Sequence, residues 1–105
     1  MISSVDHLII AVKDLDQAIS DYEKILGITP CWKGKHSELG TKNALFNFEN
    51  TYLELLSPCD EGPGTEFINN LLAENGDHLA GIALGTQNIE HTKEDLKKNG
   101  YAVDI

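Results

Sequence analysis

The stretch VDHLIIAVKDL, residues 5–15, decides the interpretation of the fold. Its first eight residues are mostly β-branched or aliphatic, which is typical of a buried strand, and Asp14 is a natural N-cap for a following helix. Apolar residues then recur at spacings of three and four over residues 15–26, and Gly27 supplies a helix stop. The chain is therefore predicted to open with a strand, a helix and a glycine.

Three further strands are predicted within the first 58 residues. Each is a short apolar run, and the three runs are 28–33, 44–48 and 51–56. The last two form a predicted hairpin through Glu49 and Asn50. Residues 34–41, which are rich in glycine, are predicted to be the loop before that hairpin.

The pattern begins again after a linker. Residues 59–75 contain Pro and Gly residues typical of a loop, followed by a short predicted helix. The string DHL at residues 77–79 then repeats DHL at residues 6–8. A predicted strand over 79–84 and a more polar helix over 89–99 follow. This internal repeat indicates two related modules.

The fold predicted for residues 1–105 is a single α+β domain. It has a complete βαβββ module over residues 1–58, the linker over 59–75, and an incomplete second module over 76–105. The second module holds a strand, a helix and only the first residues of another strand. We expect a mixed β-sheet with the helices on one face.

Composition excludes several classes of partner. Eight Lys+Arg against 17 Asp+Glu give a net charge of −9, whereas nucleic acids and anionic membranes select basic surfaces. We therefore expect neither a nucleic-acid nor a membrane partner. The two cysteines are too few for a disulfide framework, and the N-terminus lacks the features of a signal peptide, which favours a cytoplasmic location.

His7 and Glu54 are the first candidate site residues. Strand alternation places both on faces less suited to lie under a helix, so they can share one face of the sheet. A carboxylate in so apolar a strand is costly unless a cation or donor compensates it. With the repeated His78, the set suits a divalent metal such as Fe, Zn, Ni, Mn or Co. Taken singly, each residue is also explained as a hydrogen-bonded or solvent-facing side chain.

These motifs resemble the vicinal oxygen chelate superfamily, which includes glyoxalases, bleomycin-resistance proteins and extradiol dioxygenases built from paired βαβββ modules. The resemblance rests on residues 5–15, on LGI at 26–28 and on YLEL at 52–55. GKH at 34–36 and GTKN at 40–43 are similar to the glyoxalase-like domain proteins of that superfamily.

The resemblance implies metal ligands at His7, Glu54 and His78, with Glu54 also in a catalytic role. The second module lacks the strand that would supply a further carboxylate ligand. Polar and aromatic residues near these positions are candidate substrate contacts, and they are His36, Thr41, Asn43, Tyr52 and Trp32. The alternative for these five is a structural role in a turn, on the surface or in the core.

Three functions remain open from the sequence. The first is a metal-dependent lyase, isomerase or dioxygenase that acts on a small substrate with neighbouring oxygens and stabilises an enolate or similar anion. The second is a metal-free protein that binds a small molecule, as in bleomycin resistance. The third is an incomplete chain completed by strand exchange. Open sheet edges predict a homodimer in each case.

Overall fold

The structure of the protein, a computed structural model, describes residues 1–103. These residues form five strands and three helices in the order β1, α1, β2, β3, β4, α2, β5, α3. Their bounds are Ile2–Ala11, Leu15–Leu26, Trp32–His36, Thr41–Asn47, Tyr52–Pro58, Pro63–Asn75, His78–Thr86 and Ile89–Lys98. None of the described helices has both the length and the apolar composition needed to cross a membrane.

The five strands form one mixed sheet in the order β2-β3-β4-β1-β5. The central strand β1 runs parallel to β4 and antiparallel to β5, and β3 runs antiparallel to both of its neighbours. Residues of β1 therefore lie between β4 and β5, with Ile9 in register with Glu54 on one side and Gly81 on the other. The predicted α+β class and mixed sheet are confirmed.

Helix α1 begins and ends where the sequence predicts. The Asp14 carboxylate accepts a hydrogen bond from the backbone N–H of Gln17 at 3.1 Å, so Asp14 is the N-cap. Gly27 follows the last turn in the left-handed conformation, with φ of 72°, and its N–H donates to the carbonyl of Glu23. Both ends are thus fixed by local chemistry that the sequence contains.

The helices pack on both faces of the sheet, and the prediction of one covered face is wrong. In β4, Leu53 and Leu55 pack in the core beneath α1, whereas Leu56 packs in the core beneath α2. Neighbouring residues of a strand point to opposite faces, so the two cores lie on opposite sides. The error has a physical source, because the nearly continuous apolar runs of β1 and β4 are typical of strands buried on both faces.

Strand β2 begins later than predicted and includes part of the predicted loop. Gly34 lies within β2, opposite Asn43, and the turn to β3 shrinks to residues 37–40. Residues 101–103, where another strand is predicted to start, form no strand, and residues 104–105 lie outside the described range. Glycine content was therefore a poor guide to the loop.

The turn between β2 and β3 is fixed against the start of α2. The backbone N–H of Thr65 donates to the carbonyl of Leu39 at 3.1 Å. The backbone N–H groups of Cys59 and Asp60 donate to the carbonyl of Gly40 at 2.8 and 3.0 Å. These bonds hold α2 over one end of the sheet, where it encloses a cavity.

Candidate functional site

A cavity of about 320 Å³ lies between the sheet and α2. Ile9 and Leu56 line it from the sheet, and Phe67 and Ile68 line it from α2. Glu54 also lines this largely apolar space. An apolar cavity with a few convergent polar groups is the usual form of a small-molecule site.

Glu54 lies beside His7 on the face of the sheet that lines the cavity. Their side chains are 14% and 17% exposed, and Glu54 Oε1 lies 3.3 Å from His7 Nε2. The other ring nitrogen, Nδ1, lies 2.8 Å from Asp6 Oδ2 and donates to it, because an ionised carboxylate only accepts. In the neutral ring Nε2 therefore presents a lone pair to Glu54. Two facing acceptors at this distance bind either a proton or a cation.

Tyr52 and Asp6 fix the orientation of the His7 ring. The Tyr52 ring stacks on His7 with centroids 4.4 Å apart and planes inclined by 11°. The Tyr52 hydroxyl donates to Asp6 Oδ2 at 3.3 Å. The hydrogen bond from His7 lowers the pKa of Asp6, and desolvation raises the pKa of Tyr52. Asp6 therefore stays an acceptor and Tyr52 stays a donor near neutral pH.

Asn43 binds the second oxygen of Glu54. Its Nδ2 donates to Glu54 Oε2 at 2.8 Å, and the residue is only 5% exposed. The other amide atom, Oδ1, is buried and accepts no hydrogen bond from the described residues. A polar row of Asp6, His7, Glu54 and Asn43 therefore crosses strands β1, β4 and β3.

His78 lies apart from this row. Its Nδ1 lies 2.8 Å from the carbonyl oxygen of Gly76, and it lines a separate cavity of about 150 Å³ beside Tyr22 of α1. Within residues 1–103, no group of three or more His, Cys, Asp or Glu side chains is placed to hold a metal ion. The structure thus brings His7 and Glu54 together, and it does not bring His78 to them.

The helix caps give the physical reason for this correction. His7 lies seven residues before the N-cap of α1, and the residue seven before the N-cap of α3 is Gly81. Gly81 lies in one cross-strand row with Ile9 and Glu54 and lines the same cavity. The counterpart of His7 in the second module is therefore Gly81, and the repeated DHL string is displaced from the structural repeat.

A family model for the glyoxalase-like domain matches residues 5–105. The chain belongs to that family. Methylmalonyl-CoA epimerase of mitochondria from Mus musculus is 32% identical to it over 95 residues, which cover 90% of this chain and 52% of the relative. The glyoxalase-like chain thus spans about half the length of this curated relative.

Solved structures of epimerases share the fold of this glyoxalase-like domain. A variant of methylmalonyl-CoA epimerase from Streptomyces coelicolor, in complex with 2-nitronate-propionyl-CoA, matches with a TM-score of 0.79 and 26% identity over 98% of this chain and 74% of that chain. The epimerase from Mycobacterium tuberculosis matches with a TM-score of 0.77 and 25% identity over 94% and 65% of the two chains. The predicted membership of the vicinal oxygen chelate superfamily is confirmed.

The residues of the glyoxalase-like site fit one half of a metal centre. His7 and Glu54 would hold a divalent cation between an imidazole nitrogen and a carboxylate oxygen, and Asp6 would orient the imidazole from behind. A cation bound there would act as a Lewis acid on a substrate oxygen. Gly81 contributes no side chain, so further ligand positions are left to substrate, solvent or another protein group.

The five predicted substrate contacts lie in three different settings. His36 and Thr41 line the cavity. Asn43 and Tyr52 contact Glu54 and His7 instead of the cavity space. Trp32 is 58% exposed on the edge strand β2, outside the cavity. Direct contact with a substrate stays a prediction for all five.

Sequence reasoning missed three residues of the site, namely Asp6, Phe67 and Gly81. Phe67 is part of the apolar pattern of α2, and nothing in that pattern separates a cavity wall from a core residue. Gly81 was detectable, because its spacing from the α3 N-cap matches that of His7 from the α1 N-cap. Asp6 directly precedes His7, but adjacent strand residues ordinarily point to opposite faces.

Proposed function

We propose that this glyoxalase-like domain is an isomerase that moves a proton at the carbon next to a carbonyl group in a small acyl substrate. The observation that carries the proposal is Glu54, which lines an apolar cavity while Asn43 donates to one of its carboxylate oxygens and His7 Nε2 lies 3.3 Å from the other. A preoriented carboxylate at an apolar site is suited to general-base catalysis. The epimerases related to this chain support the isomerase class over the lyase and dioxygenase classes.

The proposed substrate is an acyl thioester with a second carbonyl or carboxylate oxygen nearby. A related epimerase structure contains methylmalonyl-CoA, which has this chemistry. The apolar cavity has room for the acyl end of such a molecule. Two neighbouring oxygens also agree with the substrate class expected from the superfamily.

The proposed reaction balances without an oxidant or a co-substrate. A Glu54 oxygen accepts the proton of the α carbon, and the electron pair of that C–H bond becomes part of an enolate. A proton returned to the opposite face of the same carbon inverts its configuration. His36, a second titratable side chain on the cavity lining, is the proposed donor on that face.

Replacing Glu54 by the neutral isostere tests the proposal. Exchange of the α proton of methylmalonyl-CoA with D2O, followed by ¹H NMR, is expected in the wild type and reduced by about 10²-fold or more in Glu54→Gln, because the base is removed. Glu66→Gln, which alters an exposed carboxylate in the first turn of α2, is the matched control and keeps the wild-type rate. No exchange in the wild type, or equal exchange in Glu54→Gln, contradicts the proposal.

A second candidate function is metal-free binding of a small molecule. The observation that favours it is Gly81, which leaves the second module without a ligand at the position that corresponds to His7. In that case methylmalonyl-CoA raises the melting temperature equally with and without a strong chelator, and its α proton does not exchange. A chelator-sensitive shift together with proton exchange favours the isomerase.

We further propose a homodimer acting in the cytoplasm, as the sequence predicts. Support for the dimer comes from β5, which has β1 as its one neighbour in the described sheet and exposes Ile82 and Leu84. Support for the location comes from the low cysteine content. Both remain predictions.

A further inference from the structure

We propose that Asn43 is a positioning residue that holds the Glu54 carboxylate in its reactive orientation, rather than a substrate contact. This inference rests on the proposed role of Glu54 as the base. The side chain of Asn43 is almost fully buried, and it is not part of the cavity lining. Its amide nitrogen donates to Glu54 Oε2 at 2.8 Å, so its hydrogen-bonding capacity on that side is directed to Glu54.

Only one orientation of the Asn43 amide supports Glu54. Reversing the amide would place Oδ1 against the carboxylate oxygen, and two acceptors without a proton repel each other. The orientation that donates to Glu54 leaves Oδ1 buried without a partner among the described residues. An unpaired buried acceptor is unfavourable for folding, so the arrangement favours the site at the expense of the fold.

Gly34 and Trp32 enclose the far side of Asn43. Gly34 lies directly opposite Asn43 in the β2–β3 pairing. A Cβ built on Gly34 would lie 3.1 Å from Asn43 Oδ1 and 2.6 Å from Trp32 Nε1, so the indole occupies the space that a side chain at position 34 would need. The indole nitrogen and the unpaired Asn43 oxygen therefore both lie close to this position, and Trp32 emission reports on this environment because the chain has one tryptophan.

The two oxygens of the Glu54 carboxylate have different neighbours. Asn43 on β3 holds Oε2, and Oε1 is left facing His7 on β1. Without the Asn43 donor, the carboxylate regains rotation about its terminal bond, and the productive orientation is populated for a smaller fraction of the time.

Asn43→Leu tests the inference because it keeps a similar side-chain size and removes the donor. With methylmalonyl-CoA as probe, we expect kcat for α-proton exchange to fall about 10–100-fold with KM nearly unchanged, as for other residues that orient a reactive group. A substrate contact would instead raise KM. Asn47→Leu, on the same strand at an exposed position, is the matched control and keeps both constants.

A crystal structure of Asn43→Leu tests the inference independently of activity. We expect the Glu54 carboxylate to leave the 3.3 Å contact with His7 Nε2 or to occupy several conformers. Trp32 emission is expected to shift in Asn43→Leu and to stay unchanged in Asn47→Leu. A Glu54 carboxylate that keeps its position in the variant overturns the inference, as does a rise in KM at constant kcat. If the wild type exchanges no proton, the proposed function fails while the structural test of Asn43 still stands.

Discussion

Glu54 lies between residues of two other strands, one of which binds it by a hydrogen bond. His7 on β1 lies next to one oxygen and Asn43 on β3 donates to the other, so the carboxylate is fixed only when three strands are in register. A group restrained in this way meets a bound substrate in one orientation, which lowers the entropic part of the barrier. The residue pair on either side of Glu54 is thus the centre of the proposed chemistry.

Gly81→His is predicted to create a metal site with three protein ligands. A Cβ at position 81 would meet only Ile9 Cδ1, at 3.8 Å, which is an ordinary contact, so a side chain can start there without a clash. The new imidazole would join His7 and Glu54 on the cavity face, and two histidines with one carboxylate suit a divalent transition metal. Calorimetric titration with Co²⁺ is expected to show a gain in affinity of about tenfold or more over the wild type.

Ile82→His is the control for that experiment. It adds an imidazole to the next residue of β5, which points to the opposite face and is 54% exposed. Its Co²⁺ affinity is expected to match the wild type. An equal gain in the two variants, or no gain in Gly81→His, would show that position 81 does not face the His7–Glu54 pair.

The sequence was sufficient to pair His7 with Glu54 and insufficient to exclude His78. The first inference holds because strand alternation and the cost of a carboxylate in an apolar strand both act locally. The inclusion of His78 fails because the structural repeat is aligned by the helix N-caps. In that alignment His7 corresponds to Gly81, and the second DHL string does not correspond to the first. The contact of Asn43 with Glu54 depends on the β3–β4 register, which no single strand reveals.

At the scale of elements, the contact between α2 and the β2–β3 turn determines where the cavity lies. Gly62 and Gly64 let the helix start approach the Leu39 carbonyl closely, since a Cβ on either would lie within 3.0 Å of that oxygen. Gly40 contributes a positive φ of 75° at the same place. The helix wall of the cavity therefore depends on small residues as much as on apolar packing.

A comparison of two glycine variants separates the effect of backbone strain from the effect of steric contact between the β2–β3 turn and α2. Gly27 and Gly40 have nearly the same φ, 72° and 75°. A Cβ on Gly27 meets nothing within 4 Å, whereas one on Gly40 would lie 2.6 Å from the Asp60 carbonyl oxygen. Gly27→Ala is expected to lower the free energy of unfolding by about 1–2 kcal/mol through left-handed strain alone. Gly40→Ala is expected to cost about 1–3 kcal/mol more through overpacking.

Urea unfolding monitored by circular dichroism measures both values. Equal losses in the two variants would mean that the β2–β3 turn shifts freely to admit the added methyl group, and that its contact with α2 does not restrain the helix.

The bounds of α1 were predictable because the Asp14 cap and the Gly27 stop are local signals. The placement of α2 on the opposite face was not, since it depends on how glycines at distant positions fit together.

At the scale of the whole molecule, β5 is an edge strand that the rest of the described chain leaves partly uncovered. Ile82 and Leu84 share one face of this edge strand, and both are more than half exposed. Exposed apolar residues on an open strand edge favour association with another strand. The predicted homodimer is therefore expected to use β5.

Ile82→Asp is predicted to weaken the dimer by placing a charge in its interface. Sedimentation velocity over a range of concentrations should show a dimer for the wild type and a monomer for the variant. Ile25→Asp introduces the same charge at a residue of α1 that is 72% exposed, and it should leave the dimer intact. A wild type that sediments as a monomer at every concentration contradicts the prediction, and equal weakening by both variants would implicate net charge instead of β5.

The position of β1 at the centre of the sheet also has a kinetic consequence. β1 pairs with β4 and β5, which both come much later in the chain, and it forms no hairpin with the next strand. Closing such long loops slows folding relative to local pairing, so the β2–β3–β4 meander is expected to form before β1 is captured. His7 would then reach Glu54 only in the last stage of folding, and a partly folded chain would expose the carboxylate without its imidazole partner.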